Sequence, residues 1–361
     1  MKIIYRHLLY ELIKFTFLAL LSVVTIYLLI DLFEELSYFT SRKVGLLVIL
    51  RYYFYSLPTA VALLYPVSLI LAIFVVYGQM TRNNEIAAFK SAGVVIYRLF
   101  IPGIIIGAGT GLLYLIGNEV ITVPFNRYLS DLRRYVIEKR TVPVEQRQID
   151  VYRIEGNQVL WAREWQKTKE QATINNFLVL ELDKERRVTK RIDGQTASYS
   201  DSGWVGEKVV KRQFSPDGGE EYQQFARIAL NAFNISPDKW LMPLRPIEET
   251  STLFLRRYIT KMKKAGENVA REEVEYHYRF SYALIGLIVT LLGLPLAVKL
   301  RRGGVMLGLG LGLLFSFLYW GAIQTCRAFG YAHIISPFFA AWLPNIVFGV
   351  VAVILVLKAE R

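Results

Sequence analysis

Six apolar stretches, three before and three after a long polar middle, constrain this 361-residue chain more than any other feature. The hydrocarbon layer is about 30 Å thick and a helix rises 1.5 Å per residue, so one span needs roughly 20 mostly apolar residues. The stretches fall at Leu12–Ile30, Ser56–Tyr77, Leu99–Ile116, Tyr282–Val298, Val305–Thr325 and Pro337–Leu357. Asp31, Glu34 and Glu35 close the far end of the first. That stretch is too long, and too poor in small residues at its end, for a cleavable leader, so it reads as a span.

A net charge of +13 suggests a polyanionic partner until it is divided by region. Residues 119–275 carry 27 Lys and Arg against 24 Asp and Glu, whereas the rest carries 16 against 6. The excess therefore lies around the apolar stretches, where it reports topology. Nucleic acid is excluded as a partner on that ground. With the N-terminus inside, the inner short loops hold eleven cations, from Lys2, Arg6 and Lys14 through Arg82, Lys90, Arg98, Lys299, Arg301 and Arg302 to Lys358 and Arg361. The outer ones hold four: Arg42, Lys43, Arg51 and Arg327. Both termini are expected in the cytoplasm and the middle in the periplasm.

The expected organisation is a membrane domain at 1–118, a periplasmic domain at 119–275 and a second membrane domain at 276–361. Pro124–Lys139 reads as an amphipathic helix, with Pro124 suited to a first helical position. Short strands then alternate with turns. Val151–Ile154 and Gln158–Trp165 flank Glu155-Gly156-Asn157, Asn176–Leu182 and Arg187–Ile192 flank a charged turn, and Gln195–Ser200 and Trp204–Phe214 flank Asp201-Ser202-Gly203. That spacing predicts an antiparallel, jelly-roll-like β core at about 145–245. Thr252–Ala265, closed by Gly266, and Val269–Arg279 read as flanking helices.

Chemistry is sparse. Cys326 is the single cysteine, and His7, His277 and His333 are scattered, so neither a disulfide nor a metal motif exists. No G-x-x-x-x-G-K-[S/T] loop, H-E-x-x-H or G-x-S-x-G occurs. No cofactor and no catalytic residue is expected. Ionisable residues sit only at span ends (Glu11, Lys14, Asp31), which argues against ion-coupled transport.

Two spans carry glycine every fourth residue: Gly103, Gly107, Gly111 and Gly304, Gly308, Gly312. Each set lies on one helix face and admits close backbone approach. Packing within the chain and contact with a partner subunit or moving gate both fit. Pro58, Pro66, Pro295 and Pro344 suggest kinks.

The most informative cytoplasmic segment runs from Thr81 to Gly93. Asn83 or Asn84 suits a helix N-cap, Glu85 the first turn and Gly93 the C-terminal cap. Ile86 and Phe89 share a face with small alanines nearby. A helix resting on the bilayer and one docking into a partner's groove both fit, but membrane-lying helices usually show a basic polar face. This one does not.

From these residues the chain resembles the lipopolysaccharide-export permease family, the LptF/LptG type of ABC transmembrane subunit, with the G type favoured. Four features carry the resemblance, in order along nearly the whole chain. They are Tyr5-Arg6 before a span ending Leu29-Ile30-Asp31-Leu32-Phe33-Glu34-Glu35-Leu36, the Asn84-Glu85-Ile86 to Ser91-Ala92-Gly93 segment, the β-rich insertion, and Pro337 with Ala340-Ala341-Trp342-Leu343-Pro344-Asn345.

The resemblance implies a permease paired with a second homologous permease on a cytoplasmic ABC ATPase dimer. Such a pair extracts lipopolysaccharide from the outer leaflet and passes it to a periplasmic jelly-roll bridge. It makes residues 83–93 the coupling helix, with Glu85 at the ATPase groove and Ile86 and Phe89 as apolar anchors. Lipid entry between the first span of one permease and the fifth of the other sets Gly304, Gly308 and Gly312 near a gate. Some family members carry a cation near the outer end of the first span, where this chain has Asp31. The phosphate-binding assignment therefore moves to Arg42, Lys43 and Arg51, with Arg327 behind them, although interfacial anchoring explains such residues equally.

Two other functions fit the sequence less well. One is a non-transporting scaffold for envelope assembly that uses the β domain as a binding module. The other is a lipid-modifying enzyme using Glu119, Asp131, Glu138 and Glu145, which no catalytic constellation supports.

Overall fold

The computed structural model describes residues 2–139, 146–155, 157–167, 172–183, 185, 187–200, 203–215, 219–230, 246–264, 268–299 and 304–359. The chain divides into two compact units, residues 1–138 with 246–361 and residues 139–245.

The first unit is helical. It opens with α1 (Lys2–Ser41), α2 (Leu46–Arg82), the short α3 (Glu85–Ser91) and α4 (Ile96–Gly117). α4 runs on through π-helical Asn118–Thr122, α5 (Val123–Asp131) and π-helical Leu132–Ile137. The amphipathic helix expected from Pro124 is thus a continuation of the third span, and residues 96–137 make one 42-residue rod. Proline lacks an N–H and crowds the preceding turn; the wider π register just before it absorbs the defect without a stop. The chain returns with α6 (Thr252–Lys264), α7 (Ala270–Ala283), α8 (Ile285–Lys299), α9 (Gly304–Tyr331) and α10 (Pro337–Leu357).

Among the described residues, five helices are long and apolar enough to cross a membrane, or six if α7 and α8, bent by 42°, form one span. α1 and α2 overrun their predicted apolar limits at both ends. Charge marks where the hydrocarbon stops, not where the helix stops. Their turn is closed by Lys43 at φ 51, with Val44 N–H reaching Phe39 C=O at 3.1 Å, a left-handed C-terminal cap.

α2 is the axis of this unit. Leu69, Ile70, Ile73 and Tyr77 of α2 pack with Leu99 and Phe100 of α4 and Leu292 and Leu294 of α8. In the apolar window of α2, 56% of residues are buried, against 6% for α1 and 22% for α9. The large apolar side chains left outside include Phe17, Phe33, Phe317 and Leu318. In water such a surface would be unstable; in a bilayer the hydrocarbon solvates it.

The second unit is an antiparallel sheet of β1 (Gln146–Glu155), β2 (Gln158–Lys167), β3 (Ala172–Leu182), β4 (Val188–Ser200), β5 (Gly203–Phe214) and β6 (Glu220–Ala229). The β-rich insertion is present, and its six described strands follow sequence order. Each neighbouring pair is therefore a hairpin. Gly156 and Asp201-Ser202, assigned to two of the turns, lie outside the described residues, as does Gly266. Trp165, Ile174, Phe177, Val179, Trp204 and Val209 gather on one buried face. Phe177 stands opposite Gly194 in the β3–β4 register, and a Cβ on Gly194 would lie 2.1 Å from Phe177 Cζ. The glycine is the seat of that ring.

Candidate functional site: the α3 helix and the α1–α2 cations

α3 connects α2 to α4 and is held at both ends by backbone geometry. Asn84 occupies the N-cap at φ 61 but makes no side-chain cap bond. Asn83 Nδ2 instead donates to Glu85 Oε1 at 3.3 Å, so the expected asparagine cap is replaced by this side-chain pair. Gly93, at φ +77, lets Val94 N–H reach Phe89 C=O at 2.9 Å and ends the helix. A Cβ there would be strained, which explains the glycine.

The four residues assigned to coupling separate into two roles. Glu85 and Gly93 are exposed, as are Ala88 and Lys90. Ile86 is 5% exposed and belongs to the bundle's own core, with Phe89 packed against that core. The apolar side expected toward a partner thus lies against the bundle: a two-turn amphipathic helix next to a bundle buries its apolar side there first.

Beside α3 the first turns of α1 and the last turns of α2 enclose a cavity of about 350 Å³. Leu8, Val76 and Met80 line it on the apolar side, and His7, Glu11, Gln79, Asn83 and Glu85 on the polar side. Sequence spacing gives no sign of this cavity, because the α1 and α3 residues that line it lie more than 70 positions apart. Among the described residues no group of His, Cys, Asp and Glu is placed to hold a metal.

Three of the four outer cations are exposed near the α1–α2 turn: Arg42, Lys43 and Arg51. The Arg42 guanidinium lies 3.9 Å from the centre of the Tyr38 ring. Nearby, Tyr53 Oη donates to Asp31 Oδ2 at 3.1 Å, and Tyr38 Oη donates to Glu138 Oε1 at 3.0 Å. Asp31 thus has a local hydrogen-bond partner in Tyr53.

Arg327 departs from its assignment. Its Nε donates to Glu275 Oε1 at 3.0 Å and Nη1 to Gln324 at 2.9 Å, while its guanidinium lies 4.2 Å from the Tyr278 ring centre. Tyr331 Oη donates to the same carboxylate. With the Arg327 and Glu275 side chains 19% and 12% exposed, the pair is internal.

Both glycine ridges pack within the chain. Cβ atoms on Gly308 and Gly312 would lie 2.7 and 3.0 Å from the Phe74 ring of α2. Gly304 opens α9, and its surroundings lie outside what is described. Gly103, Gly107 and Gly111 face Leu294, Gly286 and Ala283.

Of the carboxylates weighed for lipid chemistry, Glu119 and Glu138 have structural partners. Glu119 accepts from Thr252 N–H at 3.1 Å, and Glu138 faces Tyr38 and, at 3.6 Å, Arg133. Glu145 lies outside the described residues.

The family model described as "Lipopolysaccharide export system permease LptF/LptG" matches residues 6–358, nearly the whole chain, and its description spans both subunit types. No curated protein matches.

Proposed function

This chain belongs to the LptF/LptG family of lipopolysaccharide export permeases, and we propose that α3 is the lever through which a cytoplasmic ATPase dimer drives it. The family role is that of a permease subunit of an ABC exporter, so the chain is not itself an enzyme. In this reading it crosses the inner membrane six times with both termini in the cytoplasm. A second homologous permease completes the lipid path, and the β unit hands lipopolysaccharide to a periplasmic bridge.

One observation carries the proposal: Ile86 is rooted in the bundle core while Glu85 one residue earlier is exposed. A lever has to be stiff on the side it moves and open on the side that is pushed. Because Ile86 packs in the cluster that holds Tyr77 and Met80 of α2, a displacement of α3 passes directly to the central span. The two least covered spans of the first unit, α1 and α9, are those the reading assigns to the lateral gate. Arg42, Lys43 and Arg51 supply charge-assisted donors for lipid phosphates at the outer end of that path.

The test is reconstitution with the partner ATPase in proteoliposomes. Glu85→Ala and Glu85→Arg are expected to weaken lipid-stimulated ATP hydrolysis and release, the charge reversal more. Unchanged coupling in Glu85→Arg overturns the lever and returns the scaffold reading to first place.

A further inference from the structure

The fourth span is broken between α7 and α8, yet no proline or glycine occupies residues 281–285. A side chain of another helix meets the break. Tyr65 Oη of α2 donates to the carbonyl of Tyr282 at 3.2 Å. In an unbroken helix that carbonyl would receive the N–H of Gly286, four residues on. A hydroxyl competing for such a carbonyl enters the ladder, a recognised origin of sharp bends. Across the gap Leu284 N–H turns back to Ser281 C=O at 3.1 Å, and the ladder resumes with Ile288 N–H to Leu284 C=O at 3.0 Å.

The relation is reciprocal. Pro66 in α2 has no N–H, so the carbonyl four residues before it, that of Ala62, loses its helical donor. Tyr282 Oη donates to Ala62 C=O at 3.0 Å and lies 3.2 Å from Leu63 C=O. Each tyrosine therefore serves the backbone defect of the other's helix. Of the remaining carbonyls of the break, that of Ser281 accepts from Asn345 Nδ2 at 2.6 Å, and Gly111 leaves room beside that of Ala283. In an apolar interior a bare carbonyl is costly, so such defects persist only when they are served.

We propose that Tyr65 and Tyr282 are positioning residues for export, a reciprocal joint that lets the second and fourth spans change their bends together. Tyr282 has two successive carbonyls within reach, so it can shift by one residue without leaving either helix unserved. The role in export rests on the ATPase-driven displacement of α3 proposed above; the joint itself does not.

The test uses the full chain in nanodiscs, with Cys326→Ser and spin labels at Arg271→Cys and Lys299→Cys, both exposed and on opposite sides of the break. In Tyr65→Phe the inserted hydroxyl is gone and the ladder can close. At 1.5 Å per residue, straightening the 42° bend lengthens the separation by about 3 Å. Tyr282→Phe is expected to broaden the distribution, because Ala62 C=O then has no donor. In cells that depend on this chain, both variants are expected to reduce surface lipopolysaccharide at unchanged protein level and with the ATPase still co-purifying. An unchanged separation in Tyr65→Phe overturns the joint, and a lengthened separation with normal surface lipopolysaccharide overturns its role in export. Loss of ATPase co-purification from the parent chain counts against the lever reading, and the separation measurement stands without it.

Discussion

A Cβ on Gly107 would stand 2.9 Å from the carbonyl oxygen of Gly286, and one on Gly286 would stand 2.9 Å from that of Gly107. α4 and α8 therefore cross with their backbones in contact. Thr290 Oγ1 donates to Gly286 C=O at 2.7 Å and Thr110 Oγ1 to Gly107 C=O at 2.9 Å, so each threonine also crowds the other helix's glycine. Overpacking a filled site costs typically about 1–3 kcal/mol. Gly107→Val and Gly286→Val are each expected to lower the melting temperature in detergent and reduce folded yield. Gly109→Ala and Gly310→Ala, which meet open space, are expected to be neutral or slightly stabilising. Equal effects in both pairs would refute the close crossing.

The row Gly103, Gly107, Gly111 is legible in the sequence, but its partner is not. Gly286 belongs to a span with no glycine row, and only the crossing itself selects it. The apolar spans and the β-rich insertion follow from residue periodicity, which is local. The break at Leu284 escapes because the side chain that meets it, Tyr65, is more than 200 residues away. The partner of Arg327 was hidden for the same reason: Glu275 lies 52 residues earlier, in a stretch that composition assigns to the middle domain. α3 was legible as a short capped segment. The direction in which Ile86 points was not, because amphipathicity alone does not say which neighbour takes the apolar side.

The Glu275–Arg327 pair gives a second prediction. Removing one partner of a mostly buried ion pair costs about 3–5 kcal/mol, because the other charge is left without compensation. Glu275→Ala leaves the guanidinium with Gln324 and the Tyr278 and Tyr331 rings, and a marked drop in melting temperature is expected. Glu275→Leu with Arg327→Met removes both charges and is expected to recover most of the loss. A double variant no more stable than Glu275→Ala would show that the pair is not coupled.

Orientation is testable with one reagent. The eleven-to-four bias of short-loop cations predicts α3 in the cytoplasm and the sheet outside. In a Cys326→Ser background, a membrane-impermeant maleimide applied to spheroplasts is expected to label Glu207→Cys and to spare Ala88→Cys, both at exposed positions. After lysis both are labelled. The opposite pattern would reverse the topology and remove α3 from any cytoplasmic partner.

The last prediction concerns how the chain re-enters the helical unit. Arg279 is 8% exposed and donates to Thr252 Oγ1 at 2.9 Å, Ile247 C=O at 2.8 Å and Thr250 C=O at 2.7 Å. From the long α4–α5 rod, Arg127 Nε donates to Glu249 C=O at 2.6 Å, and Glu119 accepts from Thr252 N–H and Oγ1. Residues 247–252 are thereby tied to both the third and fourth spans, so movement of either reaches the point where the inserted unit returns. Lysine keeps the charge but lacks the planar fork, so Arg279→Lys is expected to leave one or more of these acceptors unserved. Each buried acceptor left open costs about 1–3 kcal/mol. Hydrogen exchange at amides 247–255 should accelerate at least tenfold in Arg279→Lys, and less in Glu119→Gln, which retains one acceptor oxygen. Protection equal to that of the parent in Arg279→Lys would mean that the clasp is held by the rod alone, with the fourth span contributing nothing to it.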